Sequence, residues 1–134
     1  MSITSITYVT YQTFPAETAN SQQTISNIKY FVKNGVPVSL YFPLRESKSS
    51  TNLQTIQDFY SIDETFAVFG IKHFLPFGKV QIFQKFFFHI SHYLWSIFVV
   101  TKYFKKNTSD SVFFTRSEWI AYFLANKNHQ AIFE

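Results

Sequence analysis

Two short stretches of this chain carry the side chains best suited to holding a polar ligand. The first is Gln12-Thr13-Phe14-Pro15-Ala16-Glu17-Thr18, running into Ala19-Asn20-Ser21-Gln22-Gln23; the second is Thr115-Arg116-Ser117-Glu118. Hydroxyls and carboxamides both donate and accept hydrogen bonds, and Arg116 adds a permanent cation with a planar fork of donors. Such a set suits hydroxyl groups and phosphate better than an apolar ligand.

Other chemistries find little footing. No glycine follows the first strand-like segment, so the G-x-G-x-x-G pyrophosphate turn is missing; Gly35, Gly70 and Gly78, the only three glycines, form no phosphate-cradling loop either. Asp58, Asp63 and Asp110 stand apart, with no D-x-D pair to hold a metal and a nucleotide, and no acidic cluster ends the first strand. No serine sits in a nucleophile-elbow context. Of the four histidines, His73, His89, His92 and His129, the middle two fall one helical turn apart and could present two ligands on one face. With no third ligand near them they are expected to pack or to face solvent, and no metal is expected. Cysteine is absent, which removes disulfides and thiolate metal sites.

The elements that position these stretches follow from the apolar pattern. Ile6 to Tyr11, β-branched and aromatic, predicts a first strand. Ile25, Ile28, Phe31 and Val32 recur at helical spacing, and Asn34-Gly35 supplies the stop. Pro37 to Phe42 predicts a second strand closed by Pro43, residues 45–52 a polar loop, and Leu53 to Tyr60 a short helix. Phe66 to Ile71 reads as a third strand and His73 to Gly78 as a loop. Val80 to Phe104, free of Pro and Gly, predicts one long helix; Ser111 to Thr115 is a strand, Ser117 to Ala125 a helix, and Gln130 to Phe133 a last strand. This alternation predicts a single α/β domain over residues 1–134, Rossmann-like and three-layered, with a parallel sheet in the order 3-2-1-4-5. Ligands of such sheets sit beyond the carboxyl ends of strands where the order reverses. That rule sets Arg116 opposite the Thr13 to Gln23 stretch.

Composition adds a partner. Hydrophobic residues make up 46% of the chain, charged residues only 15%, and 18 of the 134 residues are Phe. So apolar a chain is expected to leave surface uncovered for a second domain, another copy of itself or a membrane face. The formal charge is +4 and the pI near 9.3, yet the basic residues are scattered and Arg45 and Arg116 are the only arginines. A nucleic-acid groove would need a denser stripe, so no nucleic-acid partner is expected. Within the long helix Lys85, His89, Ser91, His92 and Ser96 interrupt the roughly 20 apolar residues that a span requires. Two placements stay open for it: a core helix packed on the sheet, or a helix whose outer aromatics, Trp95 among them, lie on lipid with Lys102, Lys105 and Lys106 against anionic headgroups. The lysines fit a helix C-terminus equally well. Met1 to Thr7 lack the charge and apolar run of a signal peptide, so a cytoplasmic protein, peripheral at the inner membrane face, is expected.

Two blocks resemble a known family. Ile6 to Pro43, with Phe14-Pro15-Ala16-Glu17-Thr18-Ala19-Asn20-Ser21-Gln22-Gln23, Asn34-Gly35 and Val38-Ser39-Leu40, is similar to the opening of bacterial family 4 (group 1) glycosyltransferases. Val112-Phe113-Phe114-Thr115-Arg116-Ser117, Ala121, Leu124-Ala125 and Ala131-Ile132-Phe133-Glu134 resemble a later block of the same enzymes. Residues 44–110 carry no such likeness.

The resemblance implies the N-terminal, acceptor-side half of a GT-B fold, in a retaining, metal-independent enzyme of envelope or exopolysaccharide synthesis. The nucleotide-sugar donor would bind a C-terminal domain, whose E-x7-E motif has no counterpart here, and this chain alone would be inactive. The acceptor, in some cases lipid-linked, would meet Thr13, Phe14, Pro15, Asn20 and Gln23, with Arg116 and Ser117 approaching from the fourth strand and Glu134 from the fifth. Phe14-Pro15 also reads as a rigid turn, and Asn20 and Gln23 as helix caps. Ending on a strand reads as truncation before the second domain; a non-catalytic α/β binding module complete in itself is the other reading.

Overall fold

The computed structural model describes residues 5–73, 84–105 and 110–134. Nine elements follow one another: β1 (Ser5–Val9), α1 (Ala19–Lys33), β2 (Val38–Leu44), α2 (Leu53–Tyr60), β3 (Ala67–Lys72), α3 (Gln84–Tyr103), β4 (Ser111–Thr115), α4 (Glu118–Asn126) and β5 (Ala131–Phe133). The five strands form one sheet in the order β3-β2-β1-β4-β5, every neighbouring pair parallel. This is the expected Rossmann-like α/β arrangement.

Side chains alternate across the sheet with the two-residue period of a strand. Ile6 and Tyr8 of β1, and Val38, Leu40 and Phe42 of β2, face a first core shared with Ile25 and Ile28 of α1 and Ile56 of α2. Val9 of β1 and Phe113 of β4 face a second core with Trp95, Val99 and Val100 of α3 and Ile120 and Leu124 of α4. Burying both sheet faces under helices lets a parallel sheet this apolar exist in water. Phe14, Phe42, Leu40 and Ile28 are fully buried, each contributing roughly 1.5–3 kcal/mol of burial.

Helix ends are defined by local chemistry. Thr18 caps α1, accepting from Ser21 N–H, and Asn52 and Ser117 do the same for α2 and α4, each cap stabilising by about 1 kcal/mol. Gly35 follows α1 with φ +78, a left-handed turn that only glycine adopts without strain.

Two strand ends differ from expectation. β1 stops at Val9 because Thr10 and Tyr11 turn away, Thr10 N–H making a last bond to Tyr41 C=O. β2 continues through Pro43 rather than ending there. Tyr41 points its carbonyl toward β1, so Pro43, two residues on, turns its missing N–H to the same side, where β1 has already ended. The ladder to β3, pairing Pro43 with Ile71, is undisturbed. The expected helix start over Val80 and the loop beyond His73 lie outside the described residues.

The long helix packs on the sheet. Ser91, His92, Trp95, Ser96, Val99 and Val100 form its buried stripe at three- and four-residue spacing. Trp95, expected at a membrane surface, is only 4% exposed and sits in the second core. The helix turns that position toward the sheet, and its outward positions are Phe87, Ile90 and Leu94 instead. Lys102 and Lys105 are exposed, and Lys106 lies outside the described residues. Among the described residues no helix is long and apolar enough to cross a membrane.

Candidate functional site

The register fixes the crevice. Val9 pairs with Thr115, so β1 and β4 leave the sheet at the same level, where the strand order reverses. Arg116 is the first residue beyond β4 and is half-buried; it makes no hydrogen bond or ion pair with any described residue. Ser117 beside it is buried and committed. Its hydroxyl accepts from Ile120 N–H and hydrogen-bonds His92 Nε2 at 2.5 Å. The serine expected to meet a ligand therefore fastens α4 to α3.

The loop leaving β1 is a built feature. Phe14 is wholly buried against Phe42 (ring centroids 5.2 Å apart) and Tyr60 (6.5 Å). The peptide bond from Phe14 to Pro15 is cis. Tyr60 holds the next residue from both sides, its hydroxyl donating to Ala16 C=O at 2.7 Å and accepting from Ala16 N–H at 2.9 Å. Ser50 N–H donates to Phe14 C=O at 3.0 Å. Thr13 is 5% exposed and its carbonyl accepts from Ser21 Oγ. Phe14 thus plugs the end of the first core and cannot touch a ligand, and Thr13 is nearly as enclosed. Pro15 is half-buried; Asn20 and Gln23 are exposed on the first turns of α1. Neither of the last two caps the helix, since Thr18 does, and Gln23 donates to Asn27 Oδ1 at 3.0 Å.

Glu134 is exposed beside the end of β4, its N–H donating to Thr115 C=O at 3.0 Å, and its side chain turns to the α1 side. Tyr8 Oη donates to one carboxylate oxygen at 2.6 Å and Asn27 Nδ2 to the other at 2.8 Å. With both oxygens engaged, the carboxylate ties β5 to α1. Burial, and then the hydrogen bond to Glu134, push the Tyr8 hydroxyl up to about 12.

A cluster absent from the sequence reading occupies the α3 side of the rim. Tyr11 stacks on His92 with ring centroids 4.3 Å apart and planes 13° from parallel, and its hydroxyl meets His73 Nε2 at 2.7 Å. Arg45 lies over the Tyr11 ring, 4.6 Å from its centroid, and 5.6 Å from that of Phe88. Burial raises the Tyr11 hydroxyl above its ordinary value, opposed by the Arg45 charge. Burial also pushes His92 down to about 4; Glu118 opposes this, while Arg45 and His89 add to it. At neutral pH Tyr11 and His92 are therefore both neutral. Both are buried and have polar atoms engaged, Tyr11 Oη with His73 and His92 Nε2 with Ser117, so the cluster closes the second core beneath the crevice.

One signal would have found these residues. Arg45 follows β2 directly, His73 follows β3, Arg116 follows β4, and Tyr11 stands two residues beyond β1. The crevice rule holds for the exits of the second and third strands as well as the first and fourth. Among the described residues no three His, Cys, Asp or Glu side chains converge as a metal site would require. No family model, no curated protein and no solved structure matches this chain.

Proposed function

We propose that this chain is the acceptor-binding domain of a retaining, metal-independent glycosyltransferase of the family 4, GT-B type, with the nucleotide-sugar donor held by a second domain. The observation that carries the reading is the paired exit of β1 and β4. The register brings the loop leaving β1 and Arg116 off the sheet at the same level at the point of strand reversal, and the Arg116 guanidinium has no partner among the described residues. Half-buried cations of that kind bind oxyanions through two parallel hydrogen bonds. The resemblance of Ile6 to Pro43 and of Val112 to Glu134 to the family supports the same reading from the sequence.

In this reading the acceptor's hydroxyl oxygen bonds to the anomeric carbon of the donor sugar. The bond from that carbon to the nucleotide's terminal phosphate breaks, and the hydroxyl proton leaves with the departing phosphate. Arg116 holds a phosphate of donor or acceptor against the crevice; Asn20 and Gln23 meet acceptor hydroxyls from α1. Phe14 and Ser117 are buried and keep the elements in place, while Glu134 reaches the acceptor side from the end of β5. The exposed apolar stripe of α3, with Lys102 and Lys105 close to its end, rests on the cytoplasmic membrane face, which suits a lipid-linked acceptor.

The test is transfer by the longer polypeptide that joins this chain to its donor domain. Arg116→Ala should lower kcat/KM roughly 10–100-fold, the scale of one lost charge-assisted hydrogen bond. Unchanged transfer would remove the crevice from the mechanism.

A further inference from the structure

A concavity lies between α1 and α2, beside the loop leaving β1, with a volume of about 670 Å³. That falls within the range of about 300–1,000 Å³ typical of small-molecule sites. Its walls carry Glu17, Gln22, Ser26 and Lys29 along the loop and α1, facing Phe59 and Tyr60 of α2. Phe59 is 45% exposed, an aromatic ring on a surface helix with room in front of it. It stands edge-on to Tyr60, ring centroids 4.8 Å apart.

The lining discriminates among ligands. An anion would be repelled by Glu17, and a cation by Lys29. A wholly apolar molecule would bury four polar side chains without replacing their water. A sugar chain fits both halves. Its ring C–H faces lie flat on an aromatic ring, and its hydroxyls donate to the Glu17 carboxylate, accept from the Lys29 ammonium, and do either with Gln22 and Ser26.

The groove is joined to the crevice by one residue. Tyr60 forms its wall and also clamps Ala16 from both sides, so the loop bearing Pro15 is continuous with the groove floor at Glu17. We infer that the groove between α1 and α2 is a carbohydrate subsite, holding the distal sugars of an oligosaccharide acceptor whose reacting end lies at the crevice. As an acceptor subsite it rests on the glycosyl-transfer reading; as a sugar-binding groove it stands on its own lining.

The test uses the isotope-labelled full chain, titrated separately with cellotetraose, chitotetraose and maltotetraose while backbone amide shifts are followed by NMR. At least one tetrasaccharide should give saturable shifts at Gln22, Ser26, Lys29 and Phe59. Phe59→Ala, an exposed change that leaves the core intact, should weaken that binding about fivefold, the scale of one lost aromatic contact. Absence of saturable shifts with all three sugars, or shifts unaffected by Phe59→Ala, overturns the groove. Binding in the groove without any transfer by the longer polypeptide would keep the subsite and remove the acceptor role, so the two failures are distinct.

Discussion

Tyr11 and His92 lie face to face, ring centroids 4.3 Å apart, at the rim where β1 ends and α3 passes beneath it. The stack buries an imidazole and fixes its charge state. Groups that bear on that charge come from four elements: Arg45 beyond β2, Glu118 on α4, His89 on α3 and Tyr11 itself. Desolvation outweighs the attraction of Glu118, so His92 stays neutral well below the pH at which a free histidine charges.

The first prediction is a pH dependence of stability. A histidine with a lowered folded pKa binds its proton more readily in the unfolded chain, so stability is lost as pH falls from about 6.5 toward about 4. The loss attributable to His92 should be roughly 1–3 kcal/mol across that window. Urea denaturation at several pH values measures it, and His92→Gln should flatten the curve between those limits. An unchanged slope in the variant would mean that His92 is not the titrating group.

Arg45 provides a second, separable outcome. Removing its charge with Arg45→Met should raise the His92 pKa, because the cation opposes protonation, and should also raise that of Tyr11, because the cation favours the phenolate. Both shifts are upward and for opposite reasons. NMR titration of the imidazole and the phenol reads them directly; a downward move of either group would contradict the placement of Arg45 over Tyr11.

The Arg116 crevice and the Ser117 cap predict opposite kinds of loss. Arg116→Ala removes a half-buried side chain with no partner among the described residues, so stability should move by no more than about 0.5 kcal/mol while transfer falls. Ser117→Ala removes the cap of α4 and the partner of His92, and should cost about 1–2 kcal/mol. Denaturation curves alongside transfer rates separate the two. Equal stability losses in both variants would place Arg116 in the scaffold.

What the sequence made legible was governed by period and topology. Alternating residues such as Ile6, Tyr8 and Val9 declare a strand with two buried faces, and Asn34-Gly35 marks the end of α1; its start was less legible, since Thr18 and not Asn20 or Gln23 supplies the cap. Because parallel strands with right-handed crossovers allow few orders, the crevice between β1 and β4 followed from the element list alone. Side-chain direction did not. Trp95 and Leu94 are neighbours of similar character on one apolar helix, and 100° of rotation per residue sends one into the core and the other to solvent. Phe14, inside a stretch read as ligand-facing, is pulled inward because a loop over an open sheet end must close the core. Arg45 was hidden within a stretch that looked like a polar surface loop, since its partner Tyr11 lies 34 positions earlier.

The outer face of α3 gives the last prediction. Phe87, Ile90 and Leu94 are 51%, 39% and 47% exposed, spaced so that one face of the helix carries all three. Lys102 sits against Phe98 and Tyr103 near the helix end, its ammonium 5.1 Å from the Phe98 ring centroid. Apolar insertion plus cationic attraction predicts that the protein pellets with vesicles of phosphatidylcholine and phosphatidylserine, and less with phosphatidylcholine alone. Each lysine near the surface contributes about 1 kcal/mol to such binding. Exchanging Lys102, Lys105 and Lys106 for Gln together should therefore release the protein, as should added salt, whereas Leu94→Gln should weaken binding to both kinds of vesicle. Self-association through the same stripe predicts a different pattern, with the oligomer lost on Leu94→Gln and indifferent to lipid. Sedimentation with and without vesicles distinguishes them, and failure to pellet with the anionic vesicles would remove the membrane from the proposed function.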